Sequence, residues 1–145
     1  MNKKMSFITG IGAFLISAGV LAATTTIAVV EHAESDAVTD TGTAGDTAGD
    51  LLTFANPVFD AANKNRIGTD QGYCIRTVAG KAWECFWTIS LANGQITVEG
   101  PFFDKGESVL AITGGTGKFA GARGQMKLRA RDEKGSEYDF VYELQ

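Results

Sequence analysis

Cys85-Phe-Trp-Thr-Ile-Ser-Leu-Ala-Asn-Gly-Gln-Ile-Thr-Val98 alternates apolar and polar residues on both sides of Asn93-Gly94. A period of two marks a strand with one buried face, and Asn-Gly is the pair best suited to the left-handed conformations of a two-residue hairpin turn. The segment therefore predicts two antiparallel strands in which Ile89 faces Val98 and Leu91 faces Ile96. Cys85 and Trp87 share that apolar face, while Thr88, Ser90, Thr97 and Glu99 point the other way.

Upstream, Tyr73 to Val78 and Trp83 to Leu91 read as a second hairpin around Ala79-Gly80. With a two-residue loop Cys74 stands opposite Cys85, on the apolar side of both strands, and the two are placed for a cross-strand disulfide. Two reduced core cysteines are the alternative. Downstream, Met126, Leu128 and Ala130 alternate with Gln125, Lys127, Arg129 and Arg131, and Tyr138, Phe140, Tyr142 and Leu144 alternate with Glu137, Asp139 and Glu143. One face of this pair is apolar, and the other sets a basic strand beside an acidic one, as solvated cross-strand ion pairs do. Strands at Thr26 to Ala33, Leu51 to Asp60 and Ser108 to Thr113 bring the expected total to about eight, with no sustained helical period anywhere after residue 24. The expected fold is all-β, an eight-stranded antiparallel barrel around an apolar cavity.

Between the first two strands, Glu34 to Asp50 carries a tandem Thr-Ala-Gly-Asp repeat at 43–46 and 47–50. The spacing lacks an EF-hand pattern, so a solvated loop is expected there rather than a calcium site. The chain of 145 residues is one domain long, and its 44% hydrophobic and 21% charged residues suit a packed core. A net charge of -4 opposes nucleic-acid binding. Lys3 and Lys4, the apolar run Phe7 to Leu21 and the small residues Ala22 and Ala23 have the layout of a secretory signal. The expected organisation is a signal peptide at 1–23 and a barrel domain at 24–145, secreted or extracytoplasmic, with no membrane contact after cleavage. A retained anchor is the alternative. Export would also let a Cys74–Cys85 bond persist.

Catalytic motifs are few. His32 is the one histidine, no serine sits in a Gly-x-Ser-x-Gly elbow, and the donors for a zinc site are too few. Gly114 to Gly124 fails as a phosphate loop, because Ile112 stands in place of the first glycine and Phe119 where Ser or Thr must follow Lys118. A strand pattern follows where a dinucleotide site needs a helix. No cofactor and no metal are expected.

The blocks Val98-Glu-Gly-Pro-Phe-Phe103, Leu110-Ala-Ile-Thr-Gly-Gly-Thr-Gly-Lys-Phe-Ala-Gly121 and Gly124-Gln-Met-Lys-Leu128 strongly resemble the allene oxide cyclase family. Gly49 to Asp60 and Arg66 to Cys74 continue the match in order, and dirigent proteins are more distantly similar. The resemblance implies a calycin-like barrel, often a homotrimer, whose apolar cavity constrains a reactive small molecule, in this family a fatty-acid epoxide. It places the family's strand-one glutamate, which assists epoxide opening, on Glu31 and a water-holding asparagine on Asn56. The pocket cysteine falls on Cys74, and a pocket tyrosine becomes Phe102. Trp87 adds to the aromatic wall. A second asparagine of the family is Ala33 here. In the opposite register of strand one His32 would face inward and Glu31 solvent. Two functions follow: an isomerase that guides allene oxide cyclisation to a cyclopentenone, or a non-catalytic dirigent-like or lipocalin-like barrel that binds an apolar small molecule.

Overall fold

The computed structural model describes residues 24–145, and the signal segment expected at 1–23 lies outside the described residues. Nine strands follow in order: β1 Thr25–His32, β2 Ala37–Thr39, β3 Leu51–Asp60, β4 Arg66–Val78, β5 Ala82–Leu91, β6 Gly94–Phe103, β7 Glu107–Gly115, β8 Gly124–Ala130 and β9 Glu137–Leu144. A single turn of 3-10 helix, Gly117–Phe119, joins β7 to β8. From β3 to β9 each strand pairs antiparallel with the next, and β1 pairs with β9 along eight residues and with β3 at Val29 to Glu31, which closes eight strands into a barrel. β2 is a short addition to the free half of the β3 edge, opposite Leu51 to Thr53.

The alternation read from the sequence is the one that folds. Val29, Val58, Trp87, Ile89, Ile96, Val98, Leu110, Met126, Phe140 and Tyr142 are buried in one core. The basic and acidic strands pair outside it, with Lys127 Nζ 2.6 Å from Glu143. Eight strands make a barrel whose interior is just wide enough for side chains to fill, and here aromatic rings fill it. Phe54 meets Trp87 edge-on at 6.0 Å, and Trp87 lies 5.6 Å from Phe140.

Three details differ from the sequence reading. The central hairpin pairs Ile89 with Ile96 and Leu91 with Gly94, a register slipped by two residues, so its turn is Ala92-Asn93. A slip of two keeps every side chain on its face, and the hydrophobic pattern is blind to it. The cause is Gly94: its φ is 144°, and a Cβ there would run into the Thr116 carbonyl, so this glycine serves a close approach of the β7–β8 connection rather than the turn. In the preceding hairpin Cys74 does face Cys85, but through a three-residue connection, residues 79–81, and an irregularity between Arg76 and Val78 that restores the register. β4 also begins at Arg66, seven residues earlier than the alternation around Tyr73 suggested. Gly68 and Gly72 interrupt the pattern there. At Gly72 a Cβ would collide with the Trp87 backbone, so the glycine makes room for the central indole.

Candidate functional site

Alternation along β1 turns Val29 and Glu31 inward. His32 points outward, where its ring stacks on Phe59 at 4.1 Å and its Nε2 lies 2.7 Å from Asn63 Oδ1. Asn56 enters from β3 and Asp70 from β4, directly opposite it in the ladder. The three side chains are 5%, 1% and 0% exposed.

Asn56 is a buckle. Its Nδ2 donates to Glu31 Oε1 at 2.7 Å and to Asp36 Oδ1 at 2.8 Å. Its Oδ1 accepts from Glu34 N, Ser35 N and Ser35 Oγ at 3.1, 2.9 and 2.9 Å. An amide has two N–H donors and two lone pairs, so every position is used by protein. In this geometry Asn56 fixes the β1–β2 turn and orients Glu31.

Burial pushes the Glu31 carboxyl up to about 7, against the opposing pull of the Asn56 hydrogen bond. Asp70 is pushed up to about 9, first by burial and then by the charge of Glu31 beside it. The sequence reading passed over Asp70, although a signal existed: four residues before the inward-facing Cys74, it lies on the same face of the same strand.

Cys74 and Cys85 form the disulfide, with S–S 1.99 Å, and both sulfurs wall the cavity beneath the mouth. No thiol remains. Trp87, Phe54 and Phe140 complete the wall, and Glu31 and Asp36 are its polar members. This inner cavity measures about 40 Å³, room for a few waters. The roomy apolar chamber expected from the sequence is instead filled by aromatic side chains. Ligand-sized space lies directly above, in a basin of about 650 Å³ at the barrel mouth, between residues 102–106 and 130–135. Phe102, Leu128 and Tyr138 belong to both spaces. Phe102 meets Tyr138 edge-on at 6.0 Å, so a tyrosine hydroxyl is present at the mouth after all, supplied from β9. Burial raises that hydroxyl to about 12, which leaves it a neutral donor.

Arg76 holds the mouth loops. Its Nε and Nη1 lie 2.6 and 2.7 Å from Asp46 and Asp104, and its guanidinium rests 4.0 Å from the Trp83 ring. Asp46 and Asp50 end the two copies of the tandem repeat. Asp50 is buried and accepts from Thr47 N at 2.8 Å and Thr41 N at 3.1 Å, contacts that hold its carboxyl below the ordinary range. The loop expected to be solvated is exposed along most of its length and anchored at both aspartates.

A closed eight-stranded antiparallel barrel with acidic side chains beneath an aromatic mouth places the chain among the small closed β-barrels. Within that class the chain belongs to the allene oxide cyclase family, whose sequence profile, described as allene oxide cyclase, matches residues 26–131. Among solved structures it is similar to a pyocyanin demethylase, at 24% identity and a TM-score of 0.70 over 81% of this chain and 100% of that one. A pterocarpan synthase dirigent protein matches at 16% identity and 0.65, covering 84% of this chain and 88% of that one. A Diels–Alderase from Streptomyces koyangensis matches at 15% and 0.65, covering 85% and 69%. Identities this low establish a shared barrel.

Proposed function

We propose that the protein is an exported barrel that takes an apolar small molecule into its mouth and holds it against Glu31 while the molecule cyclises or rearranges. The observation that carries this reading is the position of Glu31: a buried carboxyl at the wall of the inner cavity, beneath a basin large enough for a ligand. A charge is costly to bury without partners or work, and a raised carboxyl beside a cleft suits acid–base chemistry. Ring closure within one molecule needs chiefly conformational restraint, which Phe102, Leu128 and Tyr138, shared by the basin and the inner cavity, would supply. The names of the structural neighbours, a demethylase, a pterocarpan synthase and a Diels–Alderase, support small-molecule chemistry in this barrel. A fatty-acid allene oxide is the substrate class the family suggests. Export is supported by the disulfide. A homotrimer is the assembly the family suggests.

A second reading, a binding barrel without catalysis, is favoured by the small inner cavity and by the full engagement of Asn56. Glu31→Gln separates the two, since it keeps the shape and removes the titrating group. The expected result is a drop of about a hundredfold in stereoselective ring closure of a fatty-acid allene oxide, with affinity for an apolar fluorescent probe unchanged. Equal yield and stereochemistry from wild type, the variant and buffer would leave the binding barrel.

A further inference from the structure

Among the described residues four buried polar atoms have no donor or acceptor paired with them: both carboxyl oxygens of Asp70, Trp87 Nε1 and the Tyr142 hydroxyl. Such atoms are rare in native interiors and call for an explanation. They come from β4, β5 and β9, and Asp70 is the first of the charged groups that act on Tyr142. An ionised Asp70 would be a charge with no donor in an apolar interior. The groups facing it make matters worse: Glu31 from β1 and Asp36 from the β1–β2 turn are both acidic, and Tyr142 from β9 is itself fully buried. The group beside Asp70 that acts on it most strongly is the Glu31 carboxyl, which Asn56, opposite Asp70 in the ladder, also holds.

A carboxyl that keeps its proton resolves each of these conflicts. We propose that Asp70 is a positioning residue that stays a neutral carboxylic acid and donates its proton in a hydrogen bond to Glu31. Glu31 is then held by Asp70 on one side and by the Asn56 amide on the other, with a free lone pair toward the cavity. The inference rests on Glu31 as the working group of the proposed function and adds the device that sets its proton. Two adjacent carboxyls shed their protons in separate steps, and between about 7 and about 9 the pair carries one. In that range Glu31 accepts a proton from the bound molecule: the ligand's bond to hydrogen breaks, the electron pair stays on the ligand, and the proton returns to another ligand atom. Asp70 keeps its own proton throughout.

Both folded values lie above the unfolded ones, 4.5 and 3.8. The pair's contribution to stability is therefore complete below pH 4 and is lost as pH rises through 7 and then 9. The test is a titration of the ligand-free protein, labelled with ¹³C at the aspartate and glutamate carboxyls, followed by NMR and by the infrared band of protonated carboxyl. In the wild type one aspartate is expected to remain protonated at pH 8. In Asp70→Asn that band disappears, the upper step of the stability curve goes with it, and the Glu31 midpoint moves by less than about half a unit, because one neutral donor has replaced another. An unprotonated Asp70 at pH 8 in the wild type, which needs no variant to observe, would overturn the proposal. So would a fall of the Glu31 midpoint into the ordinary carboxylate range in Asp70→Asn, since that fall means a repelling charge was removed. These readouts use no substrate, so they stand apart from whether the barrel catalyses ring closure.

Discussion

The two ends of the barrel are closed by different forces. At the end formed by the 92–93 turn, the β7–β8 connection and the C-terminus, backbone meets backbone: Lys118 N donates to Asn93 O and Thr116 N to Gln95 O, both at 2.9 Å, and Gln145 N to Arg123 O at 3.0 Å. At the mouth, backbone bonds such as Asp104 N to Lys81 O are joined by side-chain charge, through Arg76 between Asp46 and Asp104 and through Asn56 between Glu31 and Asp36. Backbone packing leaves no freedom to substitute, whereas polar contacts can be exchanged while the barrel persists. The end held by these backbone contacts, which carries its own recess of about 320 Å³ beside residues 118–122, is therefore the less adjustable one, and the mouth is the more adjustable.

The contrast can be broken most severely at Gly94. Gly94→Val puts a branched side chain at a φ of 144° and against the Thr116 carbonyl. A loss of about 4 kcal/mol in urea unfolding is expected; a loss under about 1 kcal/mol would show the sealed end to be as adjustable as the mouth. Arg76→Met is next. It keeps the stem over Trp83 and releases both aspartates, and because Asp46 is 43% exposed the expected cost is about 2 kcal/mol, below the range for fully buried pairs. Limited proteolysis checks the location: cleavage should quicken within residues 40–49 and stay unchanged within 116–123. The smallest effect belongs to the barrel wall between the ends. Lys127→Met removes a solvated partner of Glu143, and no measurable shift in Tm is expected. A shift comparable to that of Arg76→Met would mean that wall charges hold the barrel as the mouth charges do.

How far the sequence could be read follows the same division. Strand faces were legible because a period of two survives any slip by two, so Trp87, Ile89, Met126 and Tyr142 could be placed inside without the correct partner for Ile89. The disulfide was legible for the same reason, since its register depended on one hairpin. The turn at Ala92-Asn93 was hidden: Asn-Gly carries a strong local preference, and the contact that overrides it comes from Thr116, more than twenty residues away. Glu31 was reached through family resemblance, and its inward register needed the structure. Asp70 and the closure by Arg76 were not reached. Each depends on which carboxylates meet across the barrel, and a loop with five acidic residues between Glu34 and Asp50 offers no local mark of the ones that Arg76 and the Asn56 amide will claim.

The pairing of β1 with β9 along eight residues, against three with β3, also fixes how the interior is completed. Among the described strands β1 comes first in the chain and its long partner last, while the seven strands from β3 to β9 each pair with the next. The barrel is thus a sheet closed by its first and last described strands. Glu31 lies on the first of them. Its burial therefore depends on closure of the barrel, which brings it against Asn56 of β3 and Asp70 of β4.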